Sequence, residues 1–319
     1  MMWERRFRIS LENLQVIILA VITIAFALIA ELLAPGFLRI GHLSFMLEVM
    51  AILGVVAIAQ TIVIMTGGID MSTGAIMYLM MAVAPMFMKE EFFLPFLLCL
   101  GIGALIGAIN GALIAWAEIP PIVQTIAMMV ALTGVVFVRT GGSPGGKAHP
   151  LLRAMTVDYV GPLHMATIIW FALTIIFFFI LRATVYGRYI QALGSNPRAS
   201  FLSGIRVKLV TFSVYVISGL LSAFGGLLFL GYIEIPYFPS QVGGLGIDYA
   251  FNSITATLIG GTLFKGGRGG PERTFLGVLL LQFLFSLLVM LGLPEPGKMI
   301  VQGIIIVAIV GIYVRWLSR

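Results

Sequence analysis

The chain contains 319 residues, of which 60% are hydrophobic and only 10% are charged. A soluble domain carries about 25% charged residues, so this composition excludes a water-soluble globular protein and predicts a surface that faces lipid. The net charge of +6 does not indicate nucleic-acid binding, because the basic residues cluster between apolar runs, as membrane topology requires.

Ten apolar segments follow one another along the chain, most of them long enough for a helix that crosses a bilayer. They cover residues 14–33, 44–65, 74–88, 93–116, 121–139, 163–181, 209–231, 249–264, 274–293 and 299–316. The third and eighth are short, as is typical of broken helices in transporters. The sequence therefore predicts an all-α membrane protein, a polytopic bundle of about ten transmembrane helices with one or two broken or short ones, in a single domain over 1–319.

The distribution of basic residues predicts the orientation of these segments. With the N-terminus inside, 13 of the 19 Lys and Arg residues fall on the inner side: Arg5, Arg6, Arg8, Arg182, Arg188, Arg198, Arg206, Lys208, Lys265, Arg268, Arg273, Arg315 and Arg319. Positively charged loops stay in the cytoplasm, so we expect both termini to be cytoplasmic.

Two longer segments then lie outside, at 140–162 and 232–247, and each is rich in glycine and proline. Either they are ordinary connecting loops or they receive a soluble partner. The three histidines, His42, His149 and His164, fall in or beside outside loops, and we expect them to be solvated. A short echo between Gly67–Asp70 and Gly244–Asp248 is compatible with repeated halves.

No segment offers a site for covalent chemistry. Residues Gly141–Lys147 fit the spacing of a phosphate-binding loop, but Ala148 replaces the required Ser or Thr and no strand precedes the loop. No nucleophile motif or metal-ligand spacing is visible. We therefore expect no enzyme activity, no metal and no bound cofactor, and any ATP that drives this protein must bind a separate subunit.

Uncharged polar side chains within the apolar segments are candidates for an aqueous path. They are Gln60, Thr61, Thr66, Asn110, Gln124, Thr125 and Asn252. Amides and hydroxyls suit neutral solutes such as sugars, although the same residues equally serve to bridge helices by hydrogen bonds. Ionisable groups are scarce in the spans, with Asp70 as the exception, and this scarcity argues against a proton-coupled carrier.

Gly103, Gly107 and Gly111 form a small-residue stripe on the fourth segment. Such a stripe predicts a face for close helix packing, either within the chain or at a dimer seam.

The segment 182–208 carries five positive and no negative charges. Within it, Asn196 is a good N-cap, Pro197 fits the first helical position and Gly204 fits the position after the last turn. The pattern predicts a short capped helix that exposes Phe201 and Leu202. A docking element for a cytoplasmic partner explains such a helix, and an interfacial helix on anionic headgroups is the alternative.

Three stretches carry a resemblance to the ribose-type permease family of bacterial ATP-binding-cassette importers for monosaccharides. Thr66–Gly74 reads TGGIDMSTG and resembles the family's TGGIDLSVG signature. Tyr186–Ile205, with GSNPRA at its centre, resembles the cytoplasmic coupling region, and Ile259–Gly270 resembles the C-terminal glycine-rich segment. The resemblance covers nearly the whole chain. It departs from the family at Gln124, where an apolar residue is expected, and in the methionines of several spans.

The resemblance implies a partnership in the bacterial inner membrane. Two permease chains, identical or siblings, pair in the bilayer; a cytoplasmic ATPase, with its ATP and Mg²⁺, binds the coupling segment at about 183–208; a periplasmic binding protein delivers the sugar. The implied coupling residues are Asn196, Pro197, Arg198, Ala199, Phe201, Leu202, Ser203 and Gly204. The predicted translocation path comprises Gln60, Thr66, Gly67, Gly68, Asp70, Ser72, Asn110, Gln124, Thr125 and Asn252. For Asp70 we favour a structural role, capping the helix that starts near Met71.

Other functions stay open at this point. A stand-alone facilitator needs no titratable group, and a secondary transporter is disfavoured by their scarcity. Within the importer class the solute is a monosaccharide, a nucleoside or another polyol.

Overall fold

Long apolar helices build most of the protein, because in lipid the main chain must satisfy its own hydrogen bonds. The structure, a computed structural model, describes residues 11–238, 246–294, 296–301, 303–305 and 307–308. The first five helices are α1 (Leu11–Leu33), α2 (Ile40–Met65), α3 (Thr73–Phe87), α4 (Phe93–Ala115) and α5 (Pro121–Thr140). An all-α polytopic membrane protein is therefore confirmed.

The second part of the chain continues in the same way. Its elements are α6 (Pro150–Val157), the strands β1 (Tyr159–Val160) and β2 (Leu163–His164), then α7 (Met165–Ala183), α8 (Val185–Ser195), α9 (Pro197–Leu202), α10 (Val207–Ile233), α11 (Ile247–Ile259) and α12 (Pro271–Met290). The two strands form an antiparallel pair. Further helical backbone follows in 296–301, 303–305 and 307–308.

Seven helices of the described part are long and apolar enough to cross a membrane: α1, α2, α4, α5, α7, α10 and α12. Helices α3 and α11 have 15 and 13 residues, which gives lengths of only about 20–22 Å against a hydrocarbon core of about 30 Å. These are the two segments predicted to be short. Most of the tenth predicted segment lies outside the described residues, so the count of ten stays a prediction. The terminal arginines and residues 239–245, in the second segment predicted to lie outside, also fall beyond the described residues.

Helices α2 and α10 form the centre of the bundle. α2 is buried along most of its length, and it packs against α7, α10, α11 and α12. α10 packs in turn against α2, α3, α4 and α6. A helix that is apolar on all sides is buried in this way in a large helical protein.

The glycine stripe of α4 packs against α10 within the chain. A Cβ added to Gly107 would lie 2.2 Å from the carbonyl oxygen of Tyr215, and one added to Gly103 would lie 2.5 Å from that of Gly219. The predicted close-packing face is therefore confirmed. The alternative of a dimer seam at this stripe is wrong, because α10 of the same chain covers it.

The segment 140–162, which was predicted to lie outside, holds more structure than the sequence indicated. α6 begins after His149, whose Nδ1 accepts a hydrogen bond from the Leu151 N–H at 3.2 Å. Thr156 donates to the Leu228 carbonyl at 3.2 Å, which fixes α6 on α10. The segment is therefore a packed part of the domain.

The expectation of solvated histidines is wrong for His164. Its ring is buried, with Nδ1 2.8 Å from the Val157 carbonyl and Nε2 3.4 Å from a carboxylate oxygen of Glu48 on α2. His42 lies 2.9 Å from the Ser286 hydroxyl of α12. Both rings lie beside loops in the sequence, yet tertiary packing gives each a polar partner on a helix.

The α4–α10 contact makes a paired test of glycine packing possible. Gly107→Ala is expected to lower the free energy of unfolding by about 1–3 kcal/mol, because the added methyl group forces the two backbones apart. Gly101 lies on the same helix with nothing within 4 Å of an added Cβ, so Gly101→Ala is expected to leave stability unchanged or raise it. Thermal unfolding of both variants in detergent measures the difference. Equal melting temperatures would contradict the packing.

Candidate translocation site and coupling segment

The chain turns sharply between α2 and α3, in the segment that carries the TGGID motif. α2 ends at Met65, and the Thr66 hydroxyl donates back to the Val63 carbonyl at 2.7 Å. Gly67 follows with φ +84°, in the left-handed region that glycine adopts without strain. Helix α2 therefore ends where the two glycines of the motif begin.

Asp70 lies at the centre of this break, with a side chain that is 0% exposed. Its Oδ1 accepts hydrogen bonds from the N–H and the hydroxyl of Ser72, at 2.9 and 2.6 Å. Its Oδ2 accepts from the Ser218 hydroxyl of α10 at 2.7 Å. The carboxylate thus caps the turn that precedes α3, although the helix itself begins at Thr73, two residues later than predicted.

Further polar side chains extend this network to α4 and α5. The Ser72 hydroxyl accepts a hydrogen bond from the Asn110 amide at 2.9 Å, and the Asn110 carbonyl oxygen accepts from the Gln124 amide at 3.2 Å. Thr125 donates to the Ile69 carbonyl and accepts from the Met71 N–H at 3.0 Å. Every member of the set is buried.

Gln60 completes the network from α2. Its side-chain amide is oriented so that it bonds to both backbone groups of Asp70. The Gln60 nitrogen donates to the Asp70 carbonyl at 3.1 Å, and the Gln60 oxygen accepts from the Asp70 N–H at 3.3 Å. The break is thus held by side chains from α2, α4, α5 and α10. We call this set, Gln60, Asp70, Ser72, Asn110, Gln124, Thr125 and Ser218, the Asp70 network.

The structure therefore brings six of the ten predicted path residues together, but it buries them in hydrogen bonds between helices. That arrangement agrees with the bridging alternative for these residues. Asn252 lies elsewhere, on α11, and is half-buried. Ala250 and Ile254 of the same helix belong to a buried cluster with Ile69 and Met71. Asn252 lies on a different side of α11 from these two residues. Residues Thr66, Gly67 and Gly68 instead line a cavity.

This cavity, which we call the loop-66 cavity, has a volume of about 290 Å³. Its lining comes from the break, α4, the start of α5, α8, α9 and α10: Thr66, Gly67, Gly68, Ile114, Ala115, Glu118, Pro121, Leu193, Pro197, Val207, Lys208, Thr211 and Tyr215. Residues of the break and of the predicted coupling segment thus share one cavity.

The predicted capped helix is present as α9. The Asn196 side chain accepts a hydrogen bond from the Ala199 N–H at 2.9 Å, Pro197 occupies the first turn, and Gly204 follows with φ +83°. Phe201 and Leu202 are 69% and 77% exposed. The sequence did not predict α8, which precedes α9. Its N-cap is Thr184, whose hydroxyl accepts a hydrogen bond from the Gly187 N–H.

The segment α8–α9 is attached directly to the end of α2. A Cβ on Gly194 would lie 1.9 Å from the Met65 carbonyl oxygen, so the two backbones are in contact. The Gly267 N–H donates to the same carbonyl at 2.9 Å, and Gly267 itself lies against Ser195. α8 and the glycine-rich segment therefore both contact the last residue of α2, which precedes the TGGID break.

Sequence reasoning missed Ser218 and Tyr215, two members of α10 that contact the break. A serine inside an apolar helix is a frequent source of hydrogen bonds between membrane helices, and that signal was available for Ser218. Tyr215 gave no comparable signal, because an aromatic residue in an apolar span is ordinary. Its place against Gly68 follows only from the packing of α10.

Seven long apolar helices among the described residues define a multi-pass membrane protein. Residues 42–310 match the family described as "Branched-chain amino acid transport system / permease component". The chain belongs to this family of permease components.

Curated relatives match over most of their length. The ribose import permease protein RbsC of Escherichia coli (strain K12) is 34% identical over 286 residues, 87% of each chain. The fructose import permease protein FrcC of Rhizobium meliloti is 31% identical over 95% of this chain and 85% of its own. The galactofuranose transporter permease protein YtfT of E. coli K12 is 29% identical over 96% and 90%. No solved structure matches significantly.

The Asp70 network gives a second paired test. Ser218→Ala leaves Oδ2 of Asp70 without this donor, and a buried acceptor left unsatisfied costs about 1–3 kcal/mol of stability. Ser222 lies one turn further along α10, and its hydroxyl has no hydrogen-bond partner among the described residues. Ser222→Ala is therefore expected to be neutral. Melting temperatures that change equally in both variants would show that the Ser218–Asp70 hydrogen bond contributes nothing to stability.

Proposed function

We propose that this chain is the transmembrane permease subunit of an ATP-binding-cassette importer for a monosaccharide. Family membership supports the transport role, and the printed names of the curated relatives support the sugar. The observation that carries the proposal is α9, a capped helix with two large apolar side chains exposed in a basic segment. Such a helix offers an anchor for another protein.

The proposed assembly contains two permease chains, a cytoplasmic ATPase that binds ATP and Mg²⁺, and a periplasmic sugar-binding protein. The permease performs no covalent chemistry and binds no cofactor. In this proposal both termini, together with α8 and α9, lie on the cytoplasmic side of a bacterial inner membrane. The segment 140–162 and the connection after α10 face the periplasm, where the binding protein docks.

Coupling would run from α9 to the break between α2 and α3. ATP binding would close the ATPase dimer. The ATPase surface that contacts Phe201 and Leu202 would move, and α9 would move with it. α8 moves with α9, and Gly194 pushes on the carbonyl of Met65 at the end of α2. The Asp70 network keeps the break rigid enough to pass this movement on to α3, α4, α5 and α10. The uncharged hydroxyl groups of Thr66 and Thr211, which line the loop-66 cavity, suit a sugar, which carries hydroxyl groups and no charge.

A paired substitution tests the ATPase contact. We expect the tagged chain, purified in mild detergent from its native membrane, to carry an ATPase with it, and we expect Phe201→Asp with Leu202→Asp to abolish this recovery. Charged groups at the centre of an apolar anchor are desolvated without a partner, which costs several kcal/mol. Ile235→Asp is the control, because Ile235 is an exposed apolar residue just beyond the other end of α10.

Recovery of the ATPase with the double variant would refute α9 as the anchor. Failure to recover any ATPase with the wild type, together with sugar flux through liposomes that contain the chain alone, would favour a stand-alone facilitator.

Cysteine labelling tests the proposed orientation. Cys99 is the single cysteine of this chain and is buried. The Cys99→Ala variant therefore provides a cysteine-free background for the labelled variants. In spheroplasts, a membrane-impermeant maleimide is expected to modify Ser143→Cys at once and Ser203→Cys only after lysis. Both serines are exposed, so access depends on the side of the membrane. The reverse order of labelling would invert the proposed topology.

A further inference from the structure

A tight turn in the glycine-rich segment presents two large side chains to solvent. The Gly266 N–H donates to the Leu263 carbonyl at 2.8 Å, and the Leu263 N–H donates to the Arg268 carbonyl at 2.9 Å. Phe264 and Lys265 are therefore the central residues of a closed turn. The Phe264 side chain is 39% exposed, and that of Lys265 is exposed as well.

This segment, which we call the 263–268 turn, is held against the bundle by backbone contacts. Its Gly267 N–H donates to the Met65 carbonyl, and a Cβ on Gly267 would lie 2.3 Å from the Ser195 hydroxyl oxygen of α8. A Cβ on Gly266 would lie 3.0 Å from the same Met65 oxygen. The exposed side chains of the turn are thus carried by a fixed backbone, which lowers the entropy that is lost when a partner binds.

The exposed side chains in and beside this turn carry positive charge. Lys265 and Arg268 are exposed, and so is Arg198 in the neighbouring helix α9. None of these three cations has an ion-pair partner among the described residues. Glu272, which follows the turn closely in the chain, is paired with Arg182 of α7. The surface is therefore electrostatically suited to an acidic partner.

Anionic lipid headgroups and an acidic protein surface both attract such cations, and the position of the turn favours the protein. The turn is bonded to Met65, the last residue of α2. Helix α2 is buried along most of its length at the centre of the bundle. Headgroups surround a bundle at its circumference, whereas the end of a central helix faces the aqueous phase.

We propose that the 263–268 turn is a second contact element for the ATPase, beside α9, and that the ATPase surface that meets it is acidic. Phe264 adds an aromatic anchor to those of α9, and aromatic side chains often dominate the binding energy of an interface. Lys265 and Arg268 pair with carboxylates of the partner and speed its association. The identity of the partner rests on the proposed function, whereas the place and the charge of the contact rest on the turn.

Binding of an ATPase to the purified full-length chain in lipid nanodiscs tests the inference. The probe is the ATPase recovered with the wild-type chain, expressed and purified on its own. Lys265→Glu with Arg268→Glu is expected to weaken the affinity about tenfold, mainly through slower association, because like charges then face each other. Added salt is expected to weaken binding of the wild type but not of this variant, since salt screens attraction and repulsion alike.

Phe264→Ala provides a second variant that leaves the charge unchanged. It removes only the exposed ring at the tip of the turn, so we expect it to fold as the wild type does. Its affinity for the ATPase is expected to fall about threefold to tenfold, mainly through faster dissociation.

Lys89→Glu with Arg139→Glu is the matched control. It makes the same change in net charge at two exposed cations, one just beyond α3 and one in the last turn of α5, at the ends of these helices that lie away from the TGGID break. The inference is overturned if the charge-reversed variant and Phe264→Ala both bind the ATPase as tightly as this control.

A role in lipid binding would give a different result. The charge-reversed variant would then bind the ATPase normally but retain fewer phosphatidylglycerol molecules in native mass spectrometry, and this outcome also overturns the inference. Failure of the wild-type chain to bind any ATPase would refute the proposed function itself. Normal binding by the wild type and by both variants of the turn would refute the second contact element alone.

Discussion

A buried carboxylate in a break between two helices is the constraint on which this structure depends. Asp70 has no exposed surface, and an unsatisfied acidic group at such a depth costs several kcal/mol. The surrounding helices remove this cost by directing donors at it, from Ser72 in the break and from Ser218 on α10. Glycine packing between α4 and α10 places these helices close enough for the network to close.

Two distant parts of the chain contact the residue that immediately precedes this break. α9 exposes its apolar side chains to solvent, while α8 contacts the carbonyl of Met65 immediately before the TGGID motif. The glycine-rich segment contributes Gly267 to the same carbonyl. Three stretches that are far apart in the sequence thus converge on one residue, and a displacement at α9 has a short path of backbone contacts to the Asp70 network.

Local signals in the sequence predicted the parts of the fold that local chemistry determines. Asn196, Pro197 and Gly204 specify α9 by capping, so this helix was predicted. The sequence did not decide the role of the polar residues within the helices, because Asn110 and Gln124 suit an aqueous path and a hydrogen bond between helices equally well. Only their distances show that they bond to one another.

Features that arise from packing between distant elements could not be predicted in this way. His164 reads as a loop histidine, yet it is buried beside Glu48, which precedes it by more than a hundred residues. Helix α8 has a threonine cap but no apolar run, so it resembled a loop. Tyr215 resembled any aromatic residue of a membrane helix, and its unpartnered hydroxyl becomes visible only with α10 placed against Gly68.

The proposed function requires that ATP hydrolysis on a partner moves sugar through this chain. Uptake of a radiolabelled monosaccharide into proteoliposomes tests it most directly, with the chain and its ATPase in the bilayer, ATP inside and the binding protein outside. The account predicts accumulation above the external concentration that requires ATP and all three proteins. Equilibration of the sugar at the same rate by the chain alone, without ATP, would contradict it.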